Sequence, residues 1–203
     1  MRIIARVICC FFLAAFLGCQ NVPQIPPLPA AGAVLAYGDS ITFGTGAGEQ
    51  ESYPAQLAKM IGRRVINAGV PGEVSAAGLQ RFAETVDRER PALVILCHGG
   101  NDLLQKLDQK ALAENLRGML RLARERGLPV VLVAVPTPDL SLTPPGFYGE
   151  IAAELEVPID TKSLRKILGK GGLKSDYIHP NAAGYRLLAE NLAKLLRRSG
   201  AIP

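Results

Sequence analysis

The chain has 203 residues, 48% of them apolar and 20% charged, which supplies one sizeable core and too little length for two, so a two-domain cofactor enzyme and a disordered chain are both excluded. Its formal charge of +5 does not mark a nucleic-acid binder, because Arg2 and Arg6 stand at the extreme N-terminus and residues 20–203 carry 21 basic against 18 acidic side chains. Cys9, Cys10 and Cys19 also fall within the first twenty residues, and Cys97 alone supports neither a disulfide framework nor a four-cysteine zinc site.

Residues 1–18 combine those two arginines with an unbroken eleven-residue apolar run, VICCFFLAAFL. This is the anatomy of an export signal, and the run falls short of the roughly 20 residues that a spanning helix needs. Phe16-Leu17-Gly18-Cys19 is similar to a bacterial lipobox, with Phe16 and Leu17 departing from its usual residues, and makes Cys19 the expected lipidated position. Residues 20–32, rich in proline, then read as an extended tether, and residues 33–203 as the folded domain. The expectation is a periplasmic protein of a bacterium, held at the outer membrane by its lipid.

From residue 33 onward, short β-branched runs alternate with longer amphipathic ones. Residues 33–38, 64–68, 92–97 and 129–135 read as buried strands, and 157–160 as a weaker fifth. Helices are expected near 53–62, 75–89, 110–126 and 147–156, with a last one after Pro180. A β-α-β-α rhythm of this kind implies a parallel sheet covered on both faces. In the third helix Leu112, Leu116, Met119, Leu120 and Ala123 share a stripe, while Arg117, Arg121 and Arg124 read as its solvated face. Such sheets bind ligands beyond the carboxyl ends of their strands.

Four polar clusters stand at those ends. Gly38-Asp39-Ser40-Ile41-Thr42 follows the first strand and places a serine at a helix start; taken alone it also fits a turn or a cap. Asn67-Ala68-Gly69 ends the second, where Gly69 can present an unobstructed N–H. His98-Gly99-Gly100-Asn101-Asp102 ends the third, with an amide side chain able to donate. Asp176-Tyr177-Ile178-His179-Pro180 sets a carboxylate three residues before a histidine, a spacing that lets Asp176 orient His179 as a base.

GDSIT, Gly69, GGND and DYIHP, in this order, resemble the four sequence blocks of the SGNH (GDSL) hydrolase family, and within it the bacterial thioesterase/arylesterase/lysophospholipase type. The resemblance covers residues 33–198. It implies a flavodoxin-like three-layer α/β/α domain with a five-stranded parallel sheet that transfers acyl groups to water with no metal and no cofactor. By the same resemblance Ser40 is the nucleophile, His179 the base and Asp176 its orienting carboxylate. The oxyanion hole falls to the N–H groups of Ser40 and Gly69 and the amide of Asn101. The chain departs from this pattern at Cys97-His98, where glutamate and an aliphatic residue commonly stand.

The expected partner is a small acyl ester, with an O-acetylated envelope glycan as the alternative substrate and a non-catalytic envelope lipoprotein as the other class. Leu103, Leu104, Leu140, Leu142, Phe147 and Tyr148 flank the site and are candidates for an acyl groove, although core packing would use the same residues. Cys97 sits in an apolar strand, where thiols are inert, and His98 reads as packing or pocket lining. Neither the glycines at 44–48 nor the 169–175 loop has the spacing of a nucleotide-binding motif.

Overall fold

The computed structural model describes residues 22–203, so the proposed export signal and Cys19 lie outside the described residues. Strands β1 (Val34–Gly38), β2 (Val65–Gly69), β3 (Leu93–Cys97), β4 (Val130–Val133) and β5 (Ile159–Asp160) form one parallel sheet in the order β2-β1-β3-β4-β5. β1, β3 and β4 are wholly buried, which explains why their sequences are continuous apolar runs instead of alternating ones. The edge strands β2 and β5 are half-buried, and β5 is only two residues long.

Among the described residues eight α-helices accompany the sheet: α1 (Ser40–Phe43), α2 (Tyr53–Ile61), α3 (Ser75–Glu89), α4 (Gly100–Leu104), α5 (Gln109–Glu125), α6 (Phe147–Glu154), α7 (Ser163–Leu168) and α8 (Ala182–Arg198). α2 packs on α8 and α8 on α7, while α3 packs on α5 and α5 on α6, giving the three-layer α/β/α arrangement. The apolar stripe of α5 is buried as its spacing requires. On its arginine face Arg121 and Arg124 are exposed and Arg117 is half-buried; Arg117 and Arg121 both reach Glu154 on α6, and Arg124 donates to the Leu155 carbonyl.

Four tyrosines, Tyr37, Tyr53, Tyr148 and Tyr185, are fully buried, and each hydroxyl has a partner. A buried aromatic hydroxyl must be satisfied, and here the partners lie mainly around the carboxyl ends of the strands. Tyr53 meets Thr42 Oγ1 at 3.1 Å, Tyr185 donates to the Thr45 carbonyl at 2.7 Å, and Tyr148 donates to the His98 carbonyl at 2.8 Å. The core thereby pins the loops after β1 and β3. Tyr148→Phe should destabilise the domain by about 1–3 kcal/mol, the cost of an abandoned buried acceptor; urea unfolding at an unchanged midpoint would rule out that pin.

Residues 22–32, read from the sequence as a tether, lie against the domain. Ile25 and Leu28 are buried in the core, their N–H groups donate to the carbonyls of Ser199 and Ala201, and Arg63 grips the carbonyls of Leu28, Pro29 and Ala30. Proline keeps this segment extended, but its two large apolar side chains supply a reason to dock that composition alone conceals.

The sheet order places a switch point between β1 and β3, since the chain steps from β1 to β2 on one side and then returns past β1 to β3 on the other. Ser40 follows β1 and Asn101 follows β3.

Candidate active site

The backbones at the ends of β1, β2 and β3 converge tightly. Gly38 is paired with both Gly69 and Cys97, and a Cβ on Gly38 would stand 1.9 Å from the Cys97 carbonyl oxygen, so only glycine fits. The next residue, Asp39, is buried and caps α1: its Oδ1 accepts the Ile41 N–H and its Oδ2 accepts the Gly100 N–H. Burial pushes its carboxyl above the usual carboxylate range, while nearby His98 and the two N–H donors pull it back. Asp39 therefore ties the serine turn to the GGND turn, and Ser40 begins a helix whose first N–H has no intrahelical acceptor.

Across the opening stands the 175–180 loop. Asp176 Oδ1 accepts the N–H groups of Ile178 and His179, each at 2.8 Å, which folds the three-residue spacing into a tight turn. Its Oδ2 lies 2.8 Å from His179 Nδ1, and His179 Nε2 lies 2.9 Å from Ser40 Oγ. With Asp176 ionised, Nδ1 carries the proton and Nε2 accepts from the serine hydroxyl. Although partial burial alone would raise Asp176, the donors from His179 and Ile178 hold it below the usual carboxylate range. Asn181 then caps α8 by accepting the Gly184 N–H.

Asn101 Nδ2 donates to the Glu73 carbonyl at 2.9 Å, fixing the amide in one orientation. The Glu73 side chain is only 6% exposed and is held by both Arg81 Nε and a terminal Arg81 nitrogen at 2.6 Å, and by His98 Nε2 at 3.1 Å. Burial opposes its charge, but hydrogen bonds from His98 and Arg81 outweigh that and bring the carboxyl down to about 2. His98 Nδ1 lies 2.9 Å from the Gly99 nitrogen, so the ring is held between that N–H and Glu73. Arg81 also donates to the carbonyls of Gly38 and Ala68 and lies 4.1 Å from the centre of the Tyr37 ring. His98 is thus fully buried in a network behind Asn101 and is not part of the pocket beside Ser40. Cys97 is buried as well, and desolvation drives its thiol well above the ordinary range, leaving it unreactive.

Gly69 is placed differently from its expected role. Its N–H donates to Asn67 Oδ1 at 3.0 Å, and Asn67 is itself held to the Phe43 carbonyl, so that donor is spent locally. Three residues on, Gly72 adopts φ +78 in the turn closed by the Glu73 N–H on the Val70 carbonyl, and no acceptor among the described residues takes its N–H. The positive φ next to Glu73 was the overlooked signal.

A small pocket, part of it open to solvent, adjoins Ser40, Asn101 and His179. Of the groove candidates, Leu104 and Leu142 line it. Leu140 is fully exposed beyond it, Phe147 stacks on Tyr148 at 4.7 Å between ring centres, and Tyr148 is core, so these three are corrected. Leu103 is also buried. Pro136 and Pro138, from the proline-rich connection at 136–146 that the sequence also offers as a wall, line it too, and Ile41, Leu168, Tyr177 and Ile178 supply apolar wall that the sequence reading missed. Leu142 sits at φ +47, a rare conformation for leucine, stabilised by its N–H donating to Asp139 Oδ1 and carbonyl.

A serine, a histidine and an aspartate hydrogen-bonded in line at the switch point of a parallel sheet define a serine hydrolase of the α/β/α class. The chain belongs to the GDSL-like Lipase/Acylhydrolase family, whose pattern matches residues 36–187. It is 30% identical over 197 residues to Esterase TesA of Pseudomonas aeruginosa, covering 89% of this chain and 95% of that protein. It is also 26% identical over 176 residues to thioesterase 1/protease 1/lysophospholipase L1 of Escherichia coli K12, covering 83% of this chain and 85% of that protein. The crystal structure of TesA superposes with a TM-score of 0.72 at 31% identity, over 81% of this chain and 98% of that one. AlinE4, an SGNH-hydrolase family esterase, gives 0.65 at 29% identity, over 85% and 98%. The chain is a serine ester hydrolase of the GDSL type.

Proposed function

We propose that Ser40, His179 and Asp176 carry the hydrolysis of carboxylic esters through an acyl-enzyme on Ser40. The observation that supports this reading is the unbroken line from Ser40 Oγ to His179 Nε2 and from His179 Nδ1 to Asp176 Oδ2, at 2.9 and 2.8 Å. His179 takes the Ser40 proton as Oγ bonds to the ester carbonyl carbon; the carbonyl electron pair moves to oxygen. Collapse of this intermediate breaks the bond to the leaving alcohol, which receives the proton from His179. Water, deprotonated by the same ring, then releases the acid and restores Ser40. The oxyanion is met by the Ser40 N–H, the Asn101 amide and, in place of Gly69, the Gly72 N–H. A fluorophosphonate probe should label Ser40 in the wild type and leave His179→Ala unlabelled; wild-type protein that resists labelling would defeat the assignment.

The apolar wall favours acyl and aryl esters over highly charged substrates. Leu142→Ala should lower kcat/KM for the preferred chain length by about tenfold, as expected for lost pocket contacts, with acetate ester hydrolysis little changed. A series of p-nitrophenyl esters checks this, and an unaltered chain-length profile would exclude Leu142 as a wall.

Export directed by residues 1–18 and lipidation at Cys19 complete the reading. The motif similarity at Phe16-Leu17-Gly18-Cys19 supports it. Incorporation of labelled palmitate in cells, lost in Cys19→Ser, is the corresponding test.

A further inference from the structure

The charge of this protein is segregated. Residues 161–175 contain Lys162, Arg165, Lys166, Lys170 and Lys174 with no carboxylate, and residues 191–203 contain Lys194, Arg197 and Arg198 with none. Without these eight cations, the described chain carries 13 basic against 18 acidic residues, so the positive excess belongs to these two segments while the remainder is net negative.

The fold brings the two segments together. α7 packs on α8, and a depression between them, lined by Lys162, Lys166, Lys194 and Arg198, continues past Lys162 and Lys166 into a second one lined by Arg165 and Lys170. All six side chains are exposed, and none has a carboxylate within 4 Å among the described residues. Asp160, the acidic residue in the first depression, is occupied by the N–H groups of Lys162 and Ser163 and by the Ser163 hydroxyl. A solvated cationic face of this density repels itself unless an anionic surface meets it.

Two further features say which surface. Val22 and Pro23 line the same depression as Lys194 and Arg198, so the described chain begins within the basic face; in sequence it is preceded by 21 residues that hold an eleven-residue apolar run and no acidic side chain. At its other end the face reaches the ester pocket: α7 carries Arg165 and Lys166 outward while its Leu168 lines the pocket, whose rim exposes Tyr177 and Leu104. The start of the described chain, a band of cations and an apolar pocket rim therefore follow one another across the molecule. We propose that this face seats the domain on an anionic phospholipid bilayer and brings the pocket to the headgroup level. The inference does not depend on lipidation at Cys19, and it goes beyond the ester chemistry of the site.

The test uses the full-length chain carrying Cys19→Ser, alone and with Lys162→Gln, Lys166→Gln and Lys194→Gln added, sedimented with phosphatidylcholine vesicles with or without one part in three phosphatidylglycerol. A basic residue near an anionic surface contributes about 1 kcal/mol, or about fivefold in partitioning. The triple replacement should therefore weaken binding to anionic vesicles on the order of a hundredfold, and 0.5 M salt, used at about that strength to screen surface charge, should erase the wild-type preference. Binding to the uncharged vesicles, to which the apolar run contributes equally in both proteins, should not change. Equal binding of the two proteins to anionic vesicles would overturn the proposal. Preferential binding to soluble duplex DNA over those vesicles would also overturn it, in favour of a general polyanion site. Hydrolysis of p-nitrophenyl acetate, expected to be the same in both proteins, reports separately on the fold and on the ester reaction; its absence in both would count against the catalytic reading alone.

Discussion

Replacing Ser40 or His179 with alanine should lower kcat by about 10⁵ to 10⁶, with KM little changed, because each removes a group on which both covalent steps depend. The double variant should be no slower than either single one, since the two side chains act as one unit across a 2.9 Å hydrogen bond. Asp176→Asn is a separate test of tautomer control. An amide there can donate to Nδ1 and so favours the ring form whose Nε2 carries the proton, for a loss of about 10⁴. The sign of the pH dependence follows from the same geometry. Protonation of His179 at Nε2 removes the acceptor for Ser40, so activity falls toward acid. Asp176, held below the usual carboxylate range, keeps its charge through that fall, and its contribution to stability is lost only at still lower pH as the carboxyl itself is protonated. An acid limb that moved with Asp176→Glu but survived in an active His179 variant would contradict this assignment. Steady-state kinetics on a soluble aryl ester measures all of these.

The long buried strands and amphipathic helices were legible because their periodicity and their function in the core are the same fact: α3 falls on residues 75–89 as expected, and α5 buries the stripe that its spacing defines. Short elements were not. α1, α4 and α7 have four to six residues, too few to show a period, and their existence follows from the loops they close. The serine, histidine and aspartate of the proposed triad could be picked out because each sits in a local motif whose geometry the backbone dictates, as the Asp176 turn shows. The pocket wall could not, because Leu168 and Ile178 reach Ser40 only through the packing of separate loops, and Tyr148 was spent on the His98 carbonyl. Gly69 and Gly72 are equivalent as glycines after a strand. What separates them is Asn67, which takes the Gly69 N–H in the folded chain.

Asn101→Ala should lower kcat by about 10² to 10³, with KM nearly unchanged, since its amide meets a charge that exists only after Ser40 has attacked. The structure extends this expectation to residues that never approach substrate. Asn101 is oriented by the Glu73 carbonyl, and the Glu73 side chain is clamped by Arg81 and by the His98 ring. Arg81 also holds the carbonyl that precedes Asp39 and the one that precedes Gly69. It reaches the loops after β1 and β2 directly and the Asn101 loop through Glu73, and is expected to act as a positioning residue for them. Releasing Glu73 lets the Asn101 amide and the Gly72 turn drift, and a displacement near 1 Å is enough to cost up to about a hundredfold. Arg81→Met should therefore lower kcat by about tenfold to a hundredfold while leaving KM in place, and Arg81→Lys should recover only part of it, because an ammonium cannot grip a carboxylate in two places and two carbonyls at once. A double-mutant cycle separates positioning from general loosening. If Arg81 acts through Asn101, its replacement costs much less in an Asn101→Ala background than in the wild type. An equal cost in both backgrounds would show that Arg81 supports the fold and not the oxyanion hole.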